Sequence, residues 1–249
     1  MIEGASLAFT GGIRLDLHRA SIGRAIWVHW SPASLDVIRI DPILGGSHSP
    51  RADPSVNQFS LFAQGPLVLL DDASGRIVYE ENVIDPQEAD RWHEHLLNSP
   101  IWRQQRRMMY ERELDVPRLT SHFPAEHPDL PWPLDAALDR VRALTGEHFN
   151  SIGLNLYRDE HDSVAMHNDR LGDLQEGHPI ALLSLGATRK MQIRNKKHAA
   201  SRRLDLDLAA GSLLLMSWET QLHYDHGIPK LTFPVSPRIS LAFRTRMPA

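Results

Sequence analysis

The chain has 249 residues, of which 42% are hydrophobic and 23% are charged, as expected for one globular domain or one domain with an attachment. It contains no cysteine, which excludes disulfides, thiolate zinc sites and a cysteine nucleophile, so any metal must be held by imidazole and carboxylate groups. The net charge of −4 argues against a strong non-specific nucleic-acid binder. The apolar runs are too short to cross a bilayer and no secretory signal is visible, so we expect a cytoplasmic protein without membrane association.

Residues 1–57 differ from the rest of the chain and contain no motif with a chemical meaning. Segments 25–28 and 37–40 have the composition of short strands. Glycine, serine and proline then dominate 45–50 and 53–55, a composition typical of a linker. We therefore predict an N-terminal extension or arm over residues 1–57 and a functional domain over residues 58–249.

Two helices are predicted before the strand-rich part of the chain. Asp85 precedes Pro86 and Glu88, which is the pattern of a capped helix start. The apolar residues that share one face of this helix are Ala89, Trp92, Leu96 and Leu97. A second apolar stripe runs from about 134 to 144, and Gly146 follows it as a stop signal.

After Phe149 the apolar residues recur with a period of two, as they do in strands with one buried face. The alternation is clear in 152–157, 204–208 and 238–244, whereas 180–185 and 212–216 are the continuous apolar runs of buried strands. Many short strands separated by turn residues are typical of a sandwich or jelly roll. We predict an α+β fold that is mainly β, with the N-terminal helices packed on one face.

Three residues in the second half of the chain have the composition of an iron site. His167 and Asp169 are two positions apart on a predicted strand, so both side chains point to the same side, and His226 precedes a predicted strand end. Two histidines and one carboxylate bind non-haem Fe(II) and leave positions open for 2-oxoglutarate and O2. Taken alone, a His-x-Asp pair also arises by chance among 14 histidines, and His223 forms a competing pair with His226.

Donors for a dicarboxylate accompany these candidate ligands. Arg238 and Arg244 share a face of one predicted strand, and an arginine can donate two parallel hydrogen bonds to a carboxylate. Asn155 and Tyr157 share a face of another strand, and an amide and a phenol are also suitable donors. In isolation these pairs have plainer interpretations, namely two arginines on a solvent face and two structural hydrogen-bonding residues. Together with the iron pattern they indicate an oxygenase that consumes 2-oxoglutarate.

The order of these motifs resembles the AlkB family. The similar segments are 155–159, 167–169, 184–187, 226–228 and 237–244, and 116–120 resembles the segment before the family's nucleotide-recognition loops. The resemblance extends from about residue 61 to 246 and implies a double-stranded β-helix of the jelly-roll type. It implies a dioxygenase that needs Fe(II), 2-oxoglutarate and O2 and that oxidatively demethylates N-alkylated bases in DNA or RNA. A base must leave a duplex to be reached, so we expect single-stranded substrates. No feature of the sequence indicates an obligate protein partner.

The resemblance also implies roles for individual residues. The three candidate iron ligands would form the catalytic centre. Arg238 would pair with the distal carboxylate of 2-oxoglutarate, with Tyr157 assisting. Asn155 and Arg244 would lie near the iron-chelating end of 2-oxoglutarate. Ser240 would also belong to the co-substrate site, at a position where many members have asparagine.

The substrate-contacting positions depart from the family's pattern. Repair members usually carry an acidic residue two positions after the metal aspartate, where this chain has Leu171, and Asp173 comes two positions later. His122 and Phe123 replace the tyrosine and tryptophan of the recognition loop, and either could stack on a base. The departures leave an alternative open, which is a 2-oxoglutarate-dependent hydroxylase or demethylase acting on a protein side chain or a small molecule.

A basic stretch runs from residue 188 to 203, with seven basic residues and no acidic one. We predict that this stretch, beginning with Arg189 and Lys190, contacts phosphates of the substrate. The alternative is a solvated hairpin with charged tips. Contacts to phosphates would make binding weaken as salt is added.

Overall fold

The computed structural model of the protein describes residues 65–109, 112–197 and 203–247, together with two short antiparallel strands, β1 (Ser6–Ala8) and β2 (Arg14–Asp16). The chain divides into two units, Met1–Phe59 and Ser60–Ala249. The predicted strands at 25–28 and 37–40 and the predicted linker lie outside the described residues. The assignment of residues 1–57 to an extension therefore stays a prediction.

The second unit contains twelve strands, three α-helices and a short 3-10 helix over Leu171–Asp173 among its described residues. In chain order they are β3 (Leu67–Asp72), β4 (Gly75–Glu80), α1 (Pro86–Leu97), β5 (Arg103–Met109), β6 (Arg112–Pro124), α2 (Leu134–Thr145), β7 (Ser151–Tyr157), β8 (Val164–His167), β9 (Ile180–Gly186), β10 (Arg189–Asn195), β11 (Leu204–Leu208), β12 (Leu213–Met216), α3 (Trp218–His223), β13 (Tyr224–Ile228) and β14 (Arg238–Arg244).

The strands form two antiparallel sheets, as in a jelly roll. The larger sheet has eight strands in the order β3-β4-β12-β9-β14-β7-β6-β5, and the smaller sheet has four in the order β11-β10-β13-β8. Apolar side chains of both sheets form one core cluster between them. The mainly β architecture predicted from the period-two segments is therefore confirmed.

The central strands of the larger sheet, such as β9 and β12, are buried on both faces, which explains their continuous apolar runs. On β9, Leu183 belongs to a core cluster shared with the helices, whereas its neighbour Leu182 belongs to the cluster shared with the smaller sheet. The helices contribute buried side chains such as Trp92 of α1 and Leu138 of α2 to the first cluster. Segment 180–185 therefore lacks alternation because neither of its faces meets water.

The start of α1 and the end of α2 carry the signals that predicted them. The side chain of Asp85 accepts hydrogen bonds from the backbone N–H groups of Gln87 at 3.0 Å and Glu88 at 3.3 Å, which caps α1. Gly146 follows α2 in the left-handed conformation, with a φ of 73°. Within the described part of the chain, every helix is too short or too polar to span a membrane.

Candidate active site

The three predicted iron ligands lie together at the edge of the smaller sheet. His167 ends β8 and lies directly opposite His226 of β13 in the antiparallel register. Asp169 follows two residues after the strand ends, and not within it as predicted. The ligand atoms of the three side chains lie within 4.8 Å of one another. This arrangement can hold one metal ion between two imidazoles and a carboxylate.

Both imidazoles can offer a ring nitrogen to a metal ion. Nδ1 of His167 donates to the backbone carbonyl of Ala165 at 2.8 Å, because that carbonyl can only accept, and this leaves Nε2 with its lone pair. Burial is the main reason that the pKa of His226 falls to about 3, with a further contribution from the nearby His167. Neither the tautomer of His167 nor the charge of His226 therefore opposes metal binding near neutral pH.

Arg244 holds the carboxylate of Asp169. Its Nε donates to Oδ2 at 2.5 Å and its Nη2 to Oδ1 at 3.3 Å. Burial opposes ionisation of Asp169, but the positive charge and hydrogen bonds of Arg244 outweigh it, and the net effect lowers the pKa of this carboxyl. Gly153 of β7 leaves room for the guanidinium, since a Cβ there would lie 3.0 Å from Nη1 of Arg244. The carboxylate is thus kept ionised and oriented.

Arg238 is a buried cation that is only partly satisfied by the protein. Its side chain is 1% exposed, and its Nη2 donates to the hydroxyl of Ser184 at 2.8 Å. Among the described residues, its Nε has no hydrogen-bond partner. Burial is the main reason that its pKa falls to about 10, so the group stays cationic at neutral pH. The Tyr157 ring lies beneath it, 5.4 Å from the guanidinium carbon to the ring centroid. An anion would complete this site.

The other predicted co-substrate residues face the same cavity. Ser240 is buried and lies opposite Asn155 in the register between β14 and β7. The amide oxygen of Asn155 accepts a hydrogen bond from Nε of Arg118 at 2.8 Å, so its amide nitrogen is the donor end. The cavity has a volume of about 760 Å³, and the predicted iron and co-substrate residues that line it are Asn155, Tyr157, His167, Asp169, His226, Arg238, Ser240 and Arg244.

The donor set fits both an iron ion and a dicarboxylate. Two imidazoles and one ionised carboxylate are the ligand types of a facial set with open positions. The buried guanidinium of Arg238 offers an N–H without a partner among the described residues. The interpretation of Arg238 as a solvent-facing arginine is therefore wrong, because its side chain lies inside the fold.

The predicted base-contacting residues are divided between two faces of β6 and the segment after β8. His122 lines the cavity and shares a hydrogen bond of 2.9 Å with the hydroxyl of Ser151. Phe123 does not line it, because its side chain points to the opposite face of the strand and packs against the helix-side core. The structure therefore does not support stacking of Phe123 on a base in the cavity. Asp173 lines the cavity, whereas Leu171 does not, so the structure supports only Asp173 as a contact.

Arg189 is not part of a phosphate-binding surface, and that prediction is wrong. Its side chain is 1% exposed. Its guanidinium donates to the backbone carbonyls of Asp159 at 3.0 Å, Asp162 at 2.9 Å and Pro229 at 2.8 Å. Arg189 therefore ties the loop after β7 to the end of β13.

Lys190 points to the outer face of the smaller sheet, away from the cavity that its neighbour Met191 lines. It forms an ion pair with Asp207 at 3.2 Å, and on the same face Arg194 approaches Asp225 at 3.8 Å. The basic charges of β10 are thus balanced by acidic residues of neighbouring strands. The structure therefore does not support a contact between Lys190 and a substrate in the cavity.

Four basic residues that line the cavity were not assigned a role from the sequence, namely Arg118, Arg170, Lys230 and Arg246. A local signal existed for two of them. Arg118 lies within the segment that resembles the family, and Arg246 continues the alternation that places Arg244 on the inner face. Arg170 and Lys230 lie in loops, where no periodicity predicts the direction of a side chain.

Comparisons with known proteins show the family to which the chain belongs. The model of a family described as the 2OG-Fe(II) oxygenase superfamily matches residues 76–244. The DNA oxidative demethylase ALKBH2 of Bos taurus is 40% identical over 127 residues, which are 47% of this chain and 45% of that protein. The alpha-ketoglutarate-dependent dioxygenase alkB homolog 3 of Homo sapiens is 32% identical over 191 residues, 70% of this chain and 67% of that protein. The matches thus span about half to two thirds of these relatives.

The fold is also found among solved structures. The structure of OsALKBH1 superimposes with a TM-score of 0.51 and 13% sequence identity, and the match covers 68% of this chain and 97% of that one. The chain belongs to the 2OG-Fe(II) oxygenase superfamily and, within it, to the AlkB family. The metal, the co-substrate and the oxidant of this family are Fe(II), 2-oxoglutarate and O2, which the residues described above fit.

Proposed function

We propose that the protein is an Fe(II)- and 2-oxoglutarate-dependent dioxygenase that oxidatively demethylates N-alkylated bases in single-stranded DNA or RNA. The charge of the cavity supports this function most directly. Six arginine and lysine side chains and two carboxylates line it among the described residues, although the whole chain carries a net charge of −4. The cations are Arg118, Arg170, Lys230, Arg238, Arg244 and Arg246, and the carboxylates are Asp169 and Asp173. An excess of positive charge suits a polyanionic strand.

Our assignment of the metal site rests on the cluster of His167, Asp169 and His226. The two histidines would bind iron through neutral imidazole nitrogens, and Asp169 would bind it through a carboxylate that Arg244 keeps ionised. When bound, iron would supply the activation of O2, which is the oxidant, and 2-oxoglutarate would supply two of the four electrons that reduce it. The C–H bond of an N-methyl group would supply the other two, so that one oxygen atom of O2 enters this bond and the other enters succinate. The resulting N-hydroxymethyl group releases formaldehyde and leaves the unmodified base, while 2-oxoglutarate becomes succinate and carbon dioxide.

Our assignment of the 2-oxoglutarate site rests on the buried charge of Arg238. Its guanidinium would donate to the distal carboxylate, and the hydroxyl of Tyr157 would assist. Asn155 and Ser240 lie farther along the same faces of β7 and β14, toward Asp169, and would contact the end of the co-substrate near the metal. The order of these side chains along the strands thus matches the two ends of a dicarboxylate.

The substrate assignment has independent support from the remaining polar groups of the cavity. Bases such as 1-methyladenine and 3-methylcytosine are cationic, and Asp173 is the lining carboxylate that would face them among the described residues. Asp169 is committed to Arg244 by two hydrogen bonds, whereas Asp173 has only a half-exposed ion pair of 3.8 Å with Arg246. The relative named as a DNA oxidative demethylase supports the same chemistry. A single strand is favoured because an unpaired base needs no energy to leave a duplex. We place the activity in the cytoplasm, which supplies Fe(II), reductant and 2-oxoglutarate.

The test measures succinate and formaldehyde with Fe(II) and 2-oxoglutarate in the presence of a single-stranded oligonucleotide that carries 1-methyladenine or 3-methylcytosine. We expect the methylated strand to stimulate succinate formation, with formaldehyde released in equal amount, and the unmethylated strand to have no such effect. His167→Ala should abolish both products. A slow rate of succinate formation that no oligonucleotide changes would refute a nucleic-acid substrate. It would favour a protein side chain or a small molecule as the substrate.

A further inference from the structure

Asp169 is held at three points, and only one of them involves its carboxylate. Its backbone carbonyl accepts a hydrogen bond from Nδ2 of the adjacent Asn168 at 2.7 Å. Arg244 binds the carboxylate, as described above. The backbone N–H of Asp169 donates to Oε1 of Gln221 at 3.2 Å, across 52 positions of sequence. Gln221 lies in α3 and is 1% exposed. The buried carboxamide of Gln221 therefore connects α3, which lies between β12 and β13, to the backbone of the candidate metal ligand Asp169.

The bond has a structural reason in the place where Asp169 lies. The paired residues of β8 and β13 end at His167, so Asp169 is beyond the last register pair of the sheet. A backbone N–H at this point has no strand neighbour to fix it. Gln221 supplies the acceptor that a neighbouring strand would otherwise provide.

The orientation of the Gln221 carboxamide is determined by its other contacts. Only its oxygen can accept from the N–H of Asp169, and its Nε2 correspondingly donates to the hydroxyl of Thr220 at 3.2 Å. The backbone carbonyl of Gln221 accepts a hydrogen bond from Nζ of Lys196 at 2.7 Å. The oxygen of the Gln221 carboxamide is thus fixed as the acceptor, and its nitrogen is fixed as the donor.

The helix that carries Gln221 is itself fixed against the larger sheet. The backbone N–H of Ser217 donates to the carbonyl of Arg76 at 2.9 Å, and that of Arg76 donates to the Ser217 hydroxyl at 3.0 Å. The Thr220 side chain lies so close to β4 that a Cβ at Gly75 would be 2.6 Å from its Cγ2. The larger sheet therefore positions α3, and α3 positions Gln221.

We infer that Gln221 is a positioning residue that fixes the backbone of Asp169 and thereby sets the affinity of the site for its metal ion. This inference rests on the proposed metal site at His167, Asp169 and His226. Arg244 orients the carboxylate of Asp169, whereas Gln221 fixes the position of the Asp169 backbone that carries this carboxylate. Groups that orient metal ligands in this way typically change affinity by about 10–100-fold when they are removed.

The experiment measures Mn(II) affinity of the full chain, without 2-oxoglutarate, by electron paramagnetic resonance titration. Gln221→Met removes the acceptor. Gln221→Asn shortens the side chain by one methylene group, which moves the carboxamide away from the N–H of Asp169. We expect both variants to weaken Mn(II) binding by about 10-fold. Gln221→Glu keeps an oxygen acceptor and should bind Mn(II) more tightly than Gln221→Met. Gln192→Met, the same exchange on the outer face of β10, should bind as the wild type does.

Mn(II) dissociation constants within twofold of wild type for both Gln221→Met and Gln221→Asn would overturn the inference. Thermal unfolding of the metal-free variants identifies a variant that does not fold, and the remaining variant of the pair then decides the question. Failure of the metal site itself would look different. In that case wild type and His167→Ala would bind Mn(II) equally, whatever residue occupies position 221.

Discussion

Two buried arginines flank the Tyr157 ring, and we expect them to respond differently to replacement by methionine. The guanidinium carbons of Arg238 and Arg189 lie 5.4 and 5.6 Å from the ring centroid, and both side chains are 1% exposed. Arg189 donates to three backbone carbonyls, whereas Arg238 donates to the hydroxyl of Ser184. Arg189 thus serves the fold, and Arg238 is arranged for an anion.

The expected magnitude for Arg238→Met follows from its contacts. Hydrogen bonds to a charged group contribute about 1.5–3 kcal/mol each, so two bonds to a carboxylate contribute about 3–6 kcal/mol. At about 1.4 kcal/mol for each factor of ten, the KM for 2-oxoglutarate should rise by about 10²–10⁴-fold. Unfolding free energy without 2-oxoglutarate should stay within about 1 kcal/mol of wild type, because the variant removes a buried cation that lacks an anion.

Arg189→Met is the matched variant, with the same exchange on the other side of Tyr157. It leaves three carbonyls without their donor, and we expect a loss of about 2–4 kcal/mol in unfolding free energy. Urea unfolding of the co-substrate-free proteins and succinate formation at varied 2-oxoglutarate measure the two effects. A KM for Arg238→Met within about threefold of wild type would show that this arginine does not anchor the co-substrate. Equal destabilisation by both variants would show that both arginines are structural.

Three further outcomes are expected. Lys230→Gln should make the slope of log affinity against log salt for a single strand shallower by about 0.7, whereas Lys190→Gln should not change it, because Lys190 is paired on the outer face. Gly186→Ala should lower the free energy of unfolding by about 1–3 kcal/mol, because Gly186 has a φ of 78° and no space for a Cβ. Gly172→Ala, in open space, should have little effect, and urea unfolding measures both variants. Burial lowers the pKa of His226 from 6.5 to about 3, so the metal-free protein should lose stability as pH falls below 6.5. This contribution should be up to about 1.4 kcal/mol per pH unit and should be missing from His226→Gln, whose stability should therefore depend less steeply on pH than that of the wild type. Equal slopes for the two proteins in pH-dependent urea unfolding would contradict it.

The sequence predicted those parts of the site that depend on local periodicity. Arg238, Ser240 and Arg244 alternate along one segment, and the structure places all three on the cavity face of β14. The capped start of α1 at Asp85 and the end of α2 at Gly146 follow from backbone groups within one helical turn. Such features are visible in a sequence because the interacting groups are close along the chain.

Local pattern could not decide which face of a strand meets which neighbour. His122 and Phe123 are adjacent, yet one lines the cavity and the other packs against the helix-side core. The same uncertainty made Arg189 and Lys190 look equivalent, although one is buried under backbone carbonyls and the other is paired with Asp207. Register between β10 and β11 brings Lys190 opposite Asp207, and no property of the basic stretch itself contains that information.

The sequence by itself determined the strand-rich fold, the identity of the three candidate iron ligands and the arginines of the co-substrate site. The tertiary structure alone decided what supports them: Gln221 lies 52 positions from the backbone N–H that it accepts. It also decided that the cavity is lined by cations from separate loops and strands. The physical reason is that side-chain types and their period are local properties, whereas the partners of a buried polar group are set by how distant strands pair and pack.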